Sequence, residues 1–465
     1  MPMSITQIGT EFINEILDYF SESKGILSLS EIEREMTQIV KRCASALTSQ
    51  YLEEVDARLL ADKAGRRRAG YSVERRFDER RLLTTFGEVG YARTYYSCRN
   101  GGYAYLVDDA VGLGSYARVS DGVSVSLAGA ACRMSYPKSS AYVVNGAVSR
   151  QTVMHKVREC SAARPPEPLH KRRVRALHID ADEAHITLYG GKRSIVPLIS
   201  VYEGIERRGK RHSCKEIFHI SEYGKTPNEL WEQVLSEIEK RYDLDGVAVY
   251  LHGDGADWVK NGLEWLPNTK FVLDKYHKNK EITAMTAGLE PLTRKAYQVQ
   301  IRYALEQNDR RFLFELAESL SAEQPQREEI IRQAAGYLNR QIEGVAICAA
   351  DPEANNGGCT EPHVSHVLSS RLSSRPMAWS KKTLSKLAPM LAGGGNAELR
   401  RDPGVPQQLL LVKATRAAAI AFRKSSFAID PRAIGALQPI NTGKRSSLYK
   451  ALRDISSHKI IPTTT

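Results

Sequence analysis

The sequence has no apolar run long enough to span a membrane, and its first residues, Met1–Phe12, show no basic stretch leading into an apolar one. Neither an anchor nor an export signal is expected, and the chain reads as cytoplasmic. Cysteine is sparse and unpaired in sequence: Cys43, Cys98, Cys132, Cys160, Cys214, Cys348 and Cys359 include no C-x-x-C spacing. No zinc module or disulfide framework is implied, and reduced thiols are expected. Acidic residues fall short of basic ones, 54 against 66, leaving a net charge of +12 that favours a polyanionic partner such as nucleic acid.

What is present describes a globular protein, 42% hydrophobic and 26% charged, and 465 residues exceed one ordinary core. Two to four domains, or one catalytic core with large additions, are expected.

The stretch Leu177–Tyr189 reads as a strand with apolar or aromatic ends, yet Asp180 and Asp182 stand in its middle, two residues apart and so on one face. Aspartate is a poor strand former and resists burial without a positive partner, which makes a cation site the natural reading. Asp182 is taken as the ligand and Asp180 as its neighbour, although the alternation allows either.

Downstream come strands at Ile195–Tyr202 and Lys215–Ile220, joined through the basic loop Arg207–Arg211. A helix at Pro227–Tyr242 follows, with Leu230, Trp231, Val234, Leu235 and Ile238 on one face, then strands at Val247–Leu251 and Lys270–Leu273. Three antiparallel strands, a helix and then parallel strands are the order of a ribonuclease-H-like α/β core with a mixed sheet. In that order the middle of the first strand neighbours the end of the fourth, so Asp182 and Asp254 converge. Gly253 and Gly255 flank Asp254, which suits close approach of a metal or phosphate.

A third acid, Glu361, precedes Pro362 at a helix start. Three carboxylates suit Mg²⁺, with Mn²⁺ as a substitute, and two such ions about 3.5–4 Å apart can stabilise both the attacking and the leaving oxygen of a phosphodiester. The 107 residues between Asp254 and Glu361 are too many for one connection, and residues 276 to 348 carry helical patterning, so an all-helical insertion is expected.

The remaining regions are read as DNA-handling parts. Residues 1–81 form an N-terminal helical region ending in a basic run with Arg66, Arg67, Arg68, Arg75 and Arg76; residues 82–118 form a small antiparallel β unit rich in tyrosine. Within 119–163, Tyr136–Asn145 and the Ser-capped Arg150–Arg158 have a helix-turn-helix layout, with Arg150, Gln151, Lys156 and Arg158 as candidate DNA contacts. The Pro-rich stretch Ala163–Pro168 marks a boundary. The catalytic core takes 170–278 and 350–380, the insertion 279–349, and a basic C-terminal region 381–465. Arg371, Arg375 and Trp379 are candidates for holding phosphates and a stacked base.

Asp182, Gly253–Gly255, Leu273–His277 and Gly358–His366, in that order, resemble the DDE transposases of bacterial insertion sequences, specifically the Lre-type family related to the Mutator-like group. The likeness runs from about residue 50 to 380 and includes Thr85–Val89 and Ser149–Val153. It implies Mg²⁺-dependent cleavage at element ends and strand transfer into target DNA, with Asp182, Asp254 and Glu361 as the acidic triad. Asp274 and His277 match the group's D-x-x-H signature, with structural or DNA-end contacts expected of them. Double-stranded DNA and a homo-oligomer in the DNA complex are the partners it implies. A non-cutting DNA-binding descendant and a metal-dependent nuclease are the competing readings.

Overall fold

The computed structural model describes residues 5–22, 25–162, 168–209, 211–394 and 399–401. Lys413, Arg416, Arg423, Lys424, Lys444 and Arg445 of the expected basic tail lie outside the described residues. The chain forms two compact units, one built from Met1–Ser161 with the short strand Leu399–Arg401, the other from Ala162–Glu398.

The first unit opens with helices Ile5–Ser21 and Leu29–Ala61. The second helix starts at a capping box, in which Ser28 Oγ accepts from Glu31 N and the Glu31 carboxylate accepts from Ser28 N. The basic stretch then departs from expectation: only Lys63–Arg68 is helical, and Tyr71–Thr84 is a strand antiparallel to Gly87–Cys98. Cross-strand neighbours such as Val73 with Tyr96 and Arg80 with Tyr91 outweigh the helical preference of the arginines. The expected β unit over residues 82–118 is also interrupted: the helix Leu106–Ala110 turns Asp108 inward, where Arg80, Arg93 and Tyr91 Oη (2.6 Å) hold it. Three helices, Asp121–Arg133, Tyr136–Val144 and Arg150–Glu159, then pack on one another through Val123, Leu127, Val153 and Val157. Asn145 (φ 51°) turns the chain between the last two, and Ser149 caps the third.

In the second unit five strands form one mixed sheet: β1 (Ala176–Thr187), β2 (Arg193–Tyr202), β3 (Phe218–Ile220), β4 (Ala248–Gly253) and β5 (Thr269–Leu273). Their spatial order is β3-β2-β1-β4-β5; β2 runs antiparallel to its neighbours β1 and β3, while β4 runs parallel to both β1 and β5. The alternation of β1 divides the sheet into two unlike faces. Leu177, Ile179 and Ala181 join Ile199, Val201, Val249 and Leu251 against helix α1 (Pro227–Arg241). Trp231, Leu235 and Ile238 of α1 complete that core, each such burial stabilising the fold by about 1.5–3 kcal/mol. The opposite face carries His178, Asp180, Ser200, Tyr202 and His252, all buried and all polar.

The basic loop Arg207–Arg211 belongs to a hairpin, Ile205–Arg208 with Arg211–Cys214, inserted between β2 and β3. After β5 the chain enters helix α2 (Lys275–Thr286) and the helices Pro291–Glu306, Arg310–Glu323, Glu328–Arg340 and Ile342–Ala350, which share a core of Ile301, Leu305, Leu313, Leu320 and Leu338. The chain then returns across the polar face of the sheet and forms helix α3 (Thr360–Val364). Beyond it, Trp379 docks beside the end of β1, its N donating to Thr187 O and its O accepting from Tyr189 N.

Candidate active site

The pairing of β4 with β1 sets Ala248 opposite Ala176 and His252 opposite Asp180. Continued two residues, that register brings Asp254 level with Asp182. Asp254 leaves the strand at once: its Oδ1 accepts from Ala256 N (2.9 Å), and Tyr337 Oη donates to its backbone carbonyl. Gly255 has φ +86°, and a Cβ there would stand 2.3 Å from Gln341 Nε2, so the turn requires glycine. Asp274, at the end of β5, caps α2 by accepting from His277 N (3.0 Å) and holds His277 Nδ1 at 2.7 Å.

These groups act on one another. Burial pushes the Asp182 carboxyl up to about 7; the hydrogen bond from Glu183 N and the His277 imidazole oppose the rise, and the carboxylates of Asp254 and Asp274 add to it. His277 moves upward as well, chiefly through its bond to Asp274 and then through the charges of Asp182 and Asp254. The end of the sheet therefore concentrates negative charge beside one imidazole, an environment that favours a bound cation.

Asp180 has a different occupation. It is 1% exposed and accepts from Tyr202 Oη (3.0 Å), Gly358 N (3.3 Å) and Cys359 N (2.9 Å), with His363 Nδ1 at 3.1 Å. The carboxylate thus anchors the start of α3. Gly357 seals the same contact, since a Cβ there would lie 2.3 Å from His252 Nε2 and 2.6 Å from His178 Nδ1. Both imidazoles are driven by burial toward the neutral form, His252 down to about 4. Between the two acids left open by alternation, Asp182 carries the fewer bonds: its Oδ1 accepts from the neighbouring Glu183 N (2.8 Å), whereas Asp180 is tied to three donors on other elements.

Glu361, the third expected donor, lies on α3, which packs along β1. It is exposed in the first turn of α3, and its side chain makes no hydrogen bond or ion pair among the described residues. Pro362 follows it inside that turn rather than opening the helix. Among the described residues no group of three or more His, Cys, Asp or Glu is placed to hold a metal ion. The donors are hard carboxylate oxygens, which fit Mg²⁺ in kind, and Asp254 lies near enough to Asp182 to raise its carboxyl.

Several candidate DNA contacts are engaged elsewhere. Arg66 is buried and donates to Leu59 O and Leu60 O, closing the helix before it; Arg75 is held by Asp78, and Lys156 by Glu159 at 2.8 Å. Arg371 lies over the Trp379 ring, 4.8 Å from its centroid, and Trp379 is 6% exposed with Nε1 donating to Leu372 O. The tryptophan offers no open face to a base. Arg67, Arg68, Arg76, Arg150, Gln151 and Arg375 are exposed, and Arg158 is half-buried.

Sequence reasoning missed the support of the acid cluster. Trp258 Nε1 donates to Glu183 Oε2 (2.5 Å), and Trp231 Nε1 to Trp258 O (2.7 Å), tying β1 to the segment after Asp254. It also missed that Cys214 and Cys359 meet: Cys214 Sγ lies 3.6 Å from His363 Nε2, and its hydrogen bond with Cys359 lowers the Cys359 thiol. Spacings of 145 and more residues give no local signal for such contacts.

The shift at Asp182 has a measurable sign. Its folded value near 7, against 3.8 for an ordinary aspartate, means that the folded chain keeps a proton over an interval where the unfolded chain has lost it. Stability therefore falls as pH rises from about 4 to 7, opposite to an ion-paired carboxylate. The raised His277 acts in the same direction, stabilising fully below 6.5 and losing that contribution as pH climbs through its folded value. The buried His178 and His252 titrate in the opposite sense, so the comparison is between proteins: with divalent cations chelated, the melting temperature of Asp182→Asn relative to wild type is expected to rise from pH 5 to pH 8. Differential scanning fluorimetry across that range reads both slopes; an unaltered slope in the variant would remove Asp182 from the acid cluster.

A family model described as "Uncharacterised protein family (UPF0236)" matches residues 22–405. Three UPF0236 proteins of Caldanaerobacter subterraneus subsp. tengcongensis are each 30% identical to this chain. The first aligns over 471 residues (98% of this chain, 99% of the relative), the second over 473 (98% and 98%) and the third over 472 (98% and 98%). The second carries four serial designations under one name, and the third eleven. No helix among the described residues is long and apolar enough to cross a membrane.

Proposed function

The chain belongs to the uncharacterised protein family UPF0236, and from that premise we propose that it is a DNA transposase that cleaves phosphodiesters at element ends and transfers the strands into target DNA. One observation carries the reading: Asp254, just past the end of β4, comes level with Asp182 in the middle of the adjacent parallel strand β1, with Asp274 and His277 close enough to shift the Asp182 carboxyl. The sheet order β3-β2-β1-β4-β5, with its first three strands antiparallel, supports a ribonuclease-H-like core. Two relatives with several designations under one name fit a coding sequence present in many copies, as a mobile element leaves behind.

Asp182 and Asp254 would hold Mg²⁺, with Glu361 as third donor once α3 turns its first turn toward them. The metal supplies charge stabilisation to the attacking and leaving oxygens. The protein's own residues fix the carboxylates: the Asp254 turn through Gly255 and Tyr337, β1 through Trp258, and α3 through Asp180. The exposed Glu361 favours a second reading, a DNA-binding protein that no longer cuts.

A joining assay separates these. Labelled duplexes taken from the DNA flanking the protein's own coding sequence are incubated with a target plasmid and Mg²⁺. Labelled plasmid supports the transposase, cleavage without joining a nuclease, and retention without cleavage the second reading. Binding itself should depend steeply on salt. Replacing Arg67, Arg68 and Arg76 with glutamine is expected to reduce the slope of log affinity against log salt by about 0.9 for each phosphate no longer neutralised. An unchanged slope takes this segment out of the interface.

A further inference from the structure

We infer that the cleft between the β1–β2 hairpin and the segment after α3 is a binding site for a nucleotide of a single DNA strand. β4 ends level with Ala181, so the last turn of β1 has no sheet neighbour on that side, and Trp379 fills only the level of Thr187 and Tyr189. What remains open is a cleft of about 600 Å³. Its two kinds of wall match the two halves of a nucleotide. Pro376 and Met377 form an apolar side on which a base can lie, over the buried Ile186 and Leu372, while Arg193 and Arg375 stand on the rim. Neither guanidinium has a hydrogen bond or ion pair among the described residues, and no acidic side chain lines the cleft. Two unneutralised arginines beside an apolar wall select an anion attached to a flat apolar body, which distinguishes a nucleotide from an acidic peptide.

The cleft also lies where the proposed reaction would need it. Ile186, in its lining, is four residues past Asp182 and on the same face, roughly 13 Å along the strand. A DNA strand with its scissile phosphate at Asp182 would lay a neighbouring nucleotide in the cleft. The cleft assigns Arg375 to a single strand rather than to a duplex, whereas Arg371 packs on Trp379.

This site rests on the reading that the chain handles DNA, and the test is chosen to keep the two apart. Anisotropy of a fluorescein-labelled ten-nucleotide thymidine oligomer is measured in EDTA with the full chain, beside a duplex of equal length and a labelled polyglutamate. The doubly substituted Arg193→Ala/Arg375→Ala protein is expected to bind the single strand at least tenfold more weakly, with duplex affinity changed less than threefold. Photocrosslinking of an iodouracil oligomer is expected to label the peptide spanning 372–377. Equal single-strand affinity in the variant, crosslinks mapping elsewhere, or polyglutamate bound as tightly through the same arginines overturns the site. If the duplex is bound and joined while any of these holds, the cleft assignment alone fails. If neither DNA binds, both readings fall.

Discussion

Asp182→Asn and Asp254→Asn are each expected to lower Mg²⁺-dependent strand cleavage by on the order of a thousandfold, equivalent to about 4 kcal/mol of lost transition-state stabilisation, while leaving DNA affinity within a fewfold. The magnitude follows from what an amide removes. Asparagine keeps the shape of the side chain and one carbonyl oxygen, but not the charge that a divalent ion requires. Binding survives because neither residue belongs to the basic surface. Glu361→Gln is the sharper comparison. An equal loss means that the exposed first turn of α3 reaches the other two acids during the reaction; wild-type cleavage would leave the acid site as Asp182, Asp254 and whatever third oxygen Asp274 or DNA supplies. Cleavage measured on a pre-nicked end, under single-turnover conditions, reads the chemical step and separates it from DNA binding.

Local pattern carries the pairing of these two acids and little of what surrounds them. β1, β2, β4, β5 and α1 were legible because alternation and helical spacing are written into consecutive residues, and the order of these elements specifies which strand ends become neighbours. That is why Asp182 and Asp254 could be paired in advance. The hairpin Tyr71–Cys98 was only half legible: its second strand alternates, but Tyr71–Arg81 is so rich in charge that its strand state depends on tyrosines across the ladder. The polar face of the sheet was not legible at all. His178, Tyr202, His252 and Cys359 are isolated polar residues in sequence, and only the return of the chain over the sheet makes them one network. Trp379 went astray for the same reason. An aromatic among arginines and serines has the composition of a base-stacking loop, and the backbone pairing with Thr187 and Tyr189 that buries it is a long-range event.

Asp180 and Asp182 lie on one face of one strand, and their substitution should move stability in opposite directions. Asp180→Ala removes the acceptor for Tyr202 Oη, Gly358 N and Cys359 N and leaves His363 facing an empty space. Each buried donor so stranded costs about 1–3 kcal/mol, and removing one member of a buried charged network costs about 3–5 kcal/mol in all. For a unit of this size the melting temperature is expected to drop by roughly 6–20 °C. Asp180→Asn retains one carbonyl acceptor but turns a donor toward backbone N–H groups, so it falls between wild type and alanine. Loss of cleavage should accompany both, since the start of α3 is what positions Glu361. Asp182→Asn does the reverse at pH 8 in EDTA: it relieves a carboxyl that burial and two neighbouring acids hold near 7, and the protein should melt higher than wild type while losing activity. Melting curves of the two asparagine variants under identical conditions decide the assignment. If Asp180→Asn raises the melting temperature and Asp182→Asn lowers it, Asp180 is the relieved acid and the metal-facing role passes to it.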